Sequence, residues 1–358
     1  MRNSTRNVTR MTIGVDLGNR FCTIATLKAD EESVSRERIP TTRDAFESHF
    51  RSLRPSRVVL ECGTDTPWIC PLLEDMGHEV ILANPRQLPL ISKSLKKTDS
   101  SDAETLARMG RADPKLLSPV KPRSPEVLAD LAIIDARNQL VRTRTKLVNF
   151  VRSKLKTCGI RVKMSCTSAF PDHAALLVPD DLRPALDPCI EMIRHLTQDI
   201  RSYDRKVETL CEKKYPQTGA LRQVAGVGSL TALAFILVLY DPKRFPKSRQ
   251  VGAYLGLTPR KDDSGDHTSQ LGITKAGNSS LRVLLVSAAH YILGPFGPDT
   301  DLRRHGQAIA ARGGPNAKKR AVVAVARKLA VLLHRLWVTG EVYEPLRNHR
   351  RREAKTEA

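Results

Sequence analysis

Three short strand-like segments in close succession, followed by alternating helices and strands, restrict the first third of this chain to a mixed sheet flanked by helices. Residues 11–15, 22–27 and 34–39 read as strands joined by short Gly/Asn and acidic turns. A helix over 45–53 follows, then a buried-type strand over 57–60. A helix over 67–76 stops at Gly77, and a strand over 78–83 ends at Asn84-Pro85. Residues 101–111 have helical spacing, with Ser100 or Ser101 as the expected cap. This α/β region covers 11–120. Ahead of it, residues 1–10 carry Arg2, Arg6 and Arg10 among polar residues and are expected to be a disordered basic leader.

The Pro-rich stretch 118–125 reads as a linker. Beyond it, Leu128, Leu131, Ile134, Leu140, Leu147, Val151 and Leu155 lie mostly along one side of a long helical pattern. A second pattern places Leu186, Ile190, Ile193, Leu196, Ile200, Tyr203, Val207 and Leu210 at steps of three and four. Such seams suit a helical hairpin or a coiled coil, so 121–215 is expected to be linker and coiled-coil region, with no clear element over 159–180. A third, mainly α region spans 216–345, and 346–358 reads as a basic disordered tail. Within it, Val224-Ala225-Gly226-Val227-Gly228 precedes a strongly apolar helix. The pattern is similar to the turn of a helix-hairpin-helix unit, in which backbone N–H groups can approach a phosphate.

Charge narrows the function. Lys plus Arg number 59 against 38 acids in 358 residues, a net +21, which is far beyond the needs of solubility. A polyanionic partner is expected, because neutralising phosphates releases counterions. Aromatics are only 4 % of residues, so a backbone-tracking surface fits better than a stacking platform. Residues 301–358 hold 14 Lys/Arg against 5 Asp/Glu, and Lys318, Lys319 and Arg320 open a helix that continues through Lys328 and Arg335, a face able to lie along a phosphate backbone. The 7 cysteines form no Cys-x-x-Cys pair and read as reduced thiols. The longest apolar run, 231–240, is about half of what spans a bilayer, so no membrane partner is expected, and no hydrophobic signal core is evident.

Four acids stand in contexts suited to metal chemistry. Asp16 ends the strand Ile13-Gly14-Val15, and Glu61 ends the apolar run Val58-Val59-Leu60, so the two can converge on one sheet edge. Asp99 and Asp102, in Lys97-Thr98-Asp99-Ser100-Ser101-Asp102-Ala103, are three apart and share a helix face. Two Mg²⁺ ions held by such carboxylates could activate a nucleophile and stabilise a leaving oxygen at phosphorus. Asp65, Glu74, Asp75 and Glu104 read as surface acids. The turn after Asp16 also suits an actin- or sugar-kinase-like ATPase, but no second Asp-x-Gly-Gly turn follows to grip a nucleotide. Ser264 lies in the polar stretch Asp262-Asp263-Ser264-Gly265, with Arg260, Lys275 and Arg282 near in sequence to supply positive charge. Lys275-Ala276-Gly277-Asn278 is expected to form a tight turn beside it. A serine that attacks phosphorus needs deprotonation and cations; Ser269 is the alternative nucleophile.

These blocks resemble the DEDD-type transposases of bacterial insertion sequences, known also as bridge-RNA-guided recombinases, and the related Piv-type DNA invertases. The resemblance rests on Gly14-Val15-Asp16, Glu61-Cys62-Gly63, Asp99-x-x-Asp102-Ala103 and a long block from Val224 through Tyr254-Leu255-Gly256-Leu257-Thr258-Pro259 and Ser264-Gly265 to Gly277-Asn278-x-x-Leu281-Arg282. It implies a RuvC-like (RNase H-like) first domain, a coiled-coil middle and a C-terminal transposase domain. It further implies that Asp16, Glu61, Asp99 and Asp102 bind Mg²⁺ and that Ser264 forms a covalent phosphoserine with DNA. Donor and target DNA, a structured guide RNA and a homodimer or homotetramer are the implied partners, in the nucleoid-associated cytoplasm of a bacterium. Arg260, Lys275, Asn278, Arg282, Lys318, Lys319 and Arg320 are the expected nucleic-acid contacts. A junction nuclease using water and a non-catalytic RNA/DNA-binding scaffold are the competing readings.

Overall fold

The computed structural model describes residues 11–29, 31–84, 99–163, 166–264 and 267–349, with the backbone alone for 261–264 and 267–270. The expected leader, the tail beyond His349, Lys97-Thr98 and Gly265 lie outside the described residues. The chain divides into two compact units, Met1–Glu126 and Val127–Ala358.

The first unit is built on a five-stranded mixed sheet: β1 (Thr12–Leu17), β2 (Phe21–Leu27), β3 (Val34–Pro40), β4 (Arg57–Glu61) and β5 (Glu79–Ala83), in the order β3-β2-β1-β4-β5. The first three form an antiparallel meander, because turns of a few residues can only reverse the chain. Helix α1 (Arg43–Arg51) carries the chain to β4, parallel to β1, and α2 (Thr66–Asp75) leads to β5, parallel to β4. Alternation along the strands divides the core. Ile13, Val15, Val58 and Leu60 pack with Phe46 and Phe50 of α1 and Ile69 and Leu73 of α2 on one face. Val59, Ile81 and Ala83 pack with Leu106 of α3 (Asp99–Ala112) on the other.

Two expectations need adjustment here. Helix α3 starts at Asp99, so Ser100 and Ser101 lie inside its first turn and do not cap it. The start of the Pro-rich stretch is tied to the sheet: Asn84 N–H donates to Leu117 O, Val120 N–H donates to Leu82 O, and Val120 packs on the core.

The second unit opens with α4 (Pro125–Thr157), α5 (Phe170–Ala175) and α6 (Arg183–Lys213). Helices α4 and α6 run antiparallel, held by polar locks spaced seven residues apart along α4. Asp130 accepts from Lys214 Nζ at 2.6 Å and Tyr215 Oη at 2.7 Å. Arg137 donates to Asp204 at 2.8 Å, and Arg144 donates to Thr197 at 3.2 Å. Beyond these locks Val148, Val151 and Leu155 pack with Phe170, Leu186, Ile190 and Ile193, so α5 fills the stretch in which the sequence shows no element.

The remainder of the unit comprises α7 (Thr218–Arg222), α8 (Ser229–Leu239), α9 (Arg249–Tyr254), the hairpin β6 (Pro259–Ser264) and β7 (His267–Ile273), α10 (Ser279–Leu293), α11 (Asp301–Ala310) and α12 (Ala317–Thr339). Apolar all round, α8 is the buried centre of this body, packed by Leu285 and Ala289 of α10 and Leu329 and Leu333 of α12. His334 of α12 is buried and pins the connection between α8 and α9, with its Nδ1 2.9 Å from Ser248 Oγ and its Nε2 3.0 Å from Pro242 O. Among the described residues no helix is long and apolar enough to cross a membrane.

Candidate active site

The acids of the first unit share one edge of the sheet because one residue in β1 has no side chain. A Cβ on Gly14 would lie 2.0 Å from Ala103 O and 2.6 Å from Ala107 N, so α3 rests directly on the β1 backbone. Farther along the helix, a Cβ on Gly110 would meet Val59 at 2.4 Å, and Gly110 O accepts from Arg57 at 2.9 Å. Gly14 thus faces the start of α3 and Arg57, at the beginning of β4, faces its end. The helix therefore runs antiparallel to β1 and β4, and its first turn lies at their carboxyl ends.

That edge carries the four acids. Asp16 is two residues past Gly14 on the face that α3 covers, about 7 Å along the strand. Glu61 is two past Val59 on the same face. The parallel register pairs Val15 with Leu60, so Asp16 and Glu61 come next, on neighbouring strands about 4.8 Å apart. Asp102 directly precedes the Ala103 that touches Gly14, and Asp99 lies one turn further toward the same edge. Asp102 is only 5 % exposed, whereas Asp99 is open to solvent and Asp16 and Glu61 are half-buried. Burial chiefly pushes the neighbouring Cys22 thiol up to about 11, and the negative charge of Asp16 adds to that shift.

The donor set is all carboxylate oxygen, the chemistry that Mg²⁺ prefers. Among the described residues no group of three or more His, Cys, Asp or Glu is drawn together closely enough to hold a metal ion. Glu104, one turn along α3, is engaged by Arg36 and by Arg108 at 2.7 Å, which hold its carboxyl below the ordinary range; it is a surface ion-pair residue, as its sequence context suggests.

Ser264 lies in the second unit, as the last residue of β6, paired across the hairpin with His267. Ser269 pairs with Asp262 on the same hairpin. The feet of the hairpin are clasped. Gly256 and Gly277 both have positive φ, at 67° and 76°, and a Cβ on either would lie within 2.2 Å of the opposite backbone. Thr274 N–H donates to Thr258 O and Lys275 N–H donates to Gly256 O across this clasp.

The clasp gives local roles to two residues expected at nucleic acid. Arg282 donates from Nη1 to Leu255 O at 3.1 Å and to Ala276 O at 2.6 Å, and Asn278 caps α10 through Leu281 N–H at 2.8 Å. Arg260, Lys275, Lys318, Lys319 and Arg320 are exposed. Sequence reading did not single out Arg249, Arg312 or Arg327, which line a cleft beside the hairpin with Lys319, Arg320 and Lys328. Only the spacing of Lys319 and Arg327 along one row of α12 announces it.

Comparison with known proteins bears on both units. Residues 13–160 match a family model described as transposase, of the DEDD type, and residues 219–300 match one described as transposase IS116/IS110/IS902 family. The y4pF/y4sB protein of Sinorhizobium fredii, named as a transposase, is 30% identical over 352 residues, covering 92% of this chain and 85% of its own. The transposase for insertion sequence element IS1111A of Coxiella burnetii is 29% identical over 310 residues, covering 84% and 83%. The pilin gene-inverting protein of Moraxella lacunata is 25% identical over 264 residues, covering 71% of each chain.

Proposed function

Since the chain belongs to the IS116/IS110/IS902 family of transposases, enzymes that cut and rejoin DNA, we propose that it exchanges strands between donor and target DNA through a covalent phosphoserine at Ser264. The placement of Asp16, Glu61, Asp99 and Asp102 at one edge of the first unit's sheet is the observation that carries the reading. Strand exchange at phosphorus needs concentrated carboxylates to hold a metal. Mg²⁺ held by these four acids would neutralise phosphate charge and stabilise the leaving oxygen.

The protein's own groups carry the remaining steps. Ser264 Oγ attacks the phosphate, its ester bond to phosphorus forms as the bond to the displaced DNA oxygen breaks, and the hydroxyl proton ends on that leaving oxygen. Reversal by a different DNA hydroxyl rejoins the strand, so bond energy is conserved and no nucleotide is consumed. Arg260 and Lys275 supply positive charge at the phosphate, while Asn278 and Arg282 hold the clasp from which the hairpin extends. Lys318, Lys319 and Arg320 bind nucleic-acid backbone.

The first unit is a RuvC-like domain over 11–120, the α4–α6 pair forms the coiled-coil region of 121–215, and 216–345 is the transposase domain. A structured guide RNA pairs with donor and target, and the protein acts as a dimer or tetramer. Resemblance to a gene-inverting protein supports a rejoining reaction over hydrolysis by water, because inversion leaves no strand cut.

The test is a denaturing gel of protein, guide RNA and labelled DNA incubated with Mg²⁺. A protein–DNA adduct is expected, and it is expected to vanish in Ser264→Ala. DNA cutting without an adduct in the wild type would establish hydrolysis instead, and an adduct that survives Ser264→Ala would move the nucleophile, with Ser269 the first residue to examine. Loss of all cutting in Asp16→Ala with DNA binding retained separates the enzyme from a scaffold.

A further inference from the structure

The second unit contains a cleft of ≈1430 Å³ whose walls are α11, α12, the base of the hairpin at Pro259 and Leu271–Ile273, and residues 341–348. That volume exceeds the roughly 300–1,000 Å³ of small-molecule sites, and suits several residues of a polymer. Two neighbouring rows of α12 form its floor. One row alternates Lys319, Val323, Arg327, Val331 and Arg335; the other runs Arg320, Ala324, Lys328 and Leu332. Cations therefore recur every eight residues, about 12 Å along the helix, with apolar steps between them.

Arg249 and Arg312 add charge from the other walls. Arg335 is paired with Glu341, but among the described residues Arg249, Arg312, Lys319, Arg327 and Lys328 form no ion pair. Burial, and then the charges of Lys328 and Arg312, hold the His305 imidazole in the same cleft below its ordinary value. Asp301, Glu341 and Glu344 also line the cleft, but eight Lys and Arg side chains face these three acids, so the field there is net positive.

We propose that this cleft holds a single strand of DNA, phosphates along the two cation rows and bases against the apolar steps between them, and leads that strand to the hairpin that carries Ser264. A duplex keeps its bases stacked inside and offers only backbone to such a floor, so it would leave the valine and leucine steps without a partner. A single strand offers both chemistries at once. DNA is the strand in question because the hairpin base forms one wall of the cleft. That last step rests on the phosphoserine reading, whereas strand binding itself does not.

The experiment uses the full chain and fluorescence anisotropy of one labelled sequence offered as single-stranded DNA, as its duplex and as RNA, over a salt series. Single-stranded DNA is the ligand whose binding the cleft variants are expected to weaken most. Lys319→Glu with Lys328→Glu is expected to weaken it at least tenfold and to flatten the log–log salt dependence by about 1.4, from ~0.7 per lost phosphate contact. Val323→Ser is expected to weaken binding without altering that slope. If the charge-reversed protein fails to fold, Lys319→Gln with Lys328→Gln carries the same slope prediction. Variants that weaken duplex or RNA binding as much as that of single-stranded DNA, or an unaltered slope in folded variants, overturn the proposal. Ser264→Ala is expected to keep strand affinity and lose the adduct. An adduct that persists therefore defeats the serine reading alone, and cleft variants without a single-strand-selective loss defeat the cleft alone.

Discussion

Gly14→Ala tests the geometry of the acid edge without touching an acid. The new methyl carbon would sit 2.0 Å from Ala103 O, where ordinary contact begins at 3.4 Å. The obstacle is helix backbone, which cannot rotate aside, so α3 must retreat from β1 by more than an ångström (3.4 less 2.0 Å). Overpacking of this kind costs about 1–3 kcal/mol. In a unit of this size, between the smaller and larger domains for which the scale is known, each kcal/mol lowers the melting temperature by roughly 4 °C. Asp99 and Asp102 ride on α3 while Asp16 and Glu61 stay on the sheet, so the retreat separates the two pairs. Displacement of a reacting constellation by about 1 Å costs on the order of 100-fold in rate. The expected result is a folded protein that melts at least ~4 °C lower and forms adduct ~100-fold more slowly, with strand binding by the second unit unchanged. Gly219→Ala is the control, since a Cβ there meets nothing within 4 Å. Circular dichroism melts and single-turnover adduct kinetics provide the readouts. Wild-type melting and wild-type kinetics in Gly14→Ala would refute the argument that this contact sets the site.

Two other outcomes follow from the electrostatics and the buried polar contacts. Asp130→Ala removes the acceptor shared by Lys214 and Tyr215; the stranded hydroxyl is expected to cost about 1–3 kcal/mol, read as a lower urea midpoint. Glu104 is held below its ordinary value of 4.5, first by Arg36 and then by Arg108, so the stabilisation it gives is complete above that pH and is lost as pH falls through the lowered folded value. Glu104→Gln is expected to flatten the acid limb of melting temperature against pH, and an unchanged limb would show that the two ion pairs contribute nothing.

The strands and helices of the first unit are legible in the sequence because its periodicities are strong and its turns short. The paired spacing of Asp99 and Asp102 is also visible there. What brings them to Asp16 is not, since it depends on a helix seating itself over Gly14, a contact between residues some ninety positions apart. The hairpin was harder to foresee for a different reason. Lys261-Asp262-Asp263-Ser264 has neither alternation nor β-branched residues, so it reads as a polar loop, and backbone pairing with 267–270 makes it a strand. Arg282 and Asn278 have a second use that residue type does not announce, since the fold engages both in holding the local backbone. The cleft rows on α12 were half visible, because the cations could be read but not the walls that face them.

The two-glycine clasp fixes the feet of the hairpin, and this makes the position of its terminal serine a matter of parity and reach. Counting from the clasp, each added residue pair carries Ser264 about 3.3 Å further out and turns it to the opposite face of the ribbon. An odd extension would therefore put position 264 on the other face of the ribbon, however small the displacement. An even extension would keep its facing and overshoot by nearly 7 Å. The one irregularity in register, between Pro259 and Lys261, lies close to the clasp, so hairpin length counted beyond it becomes a specification of where the strand can be attacked.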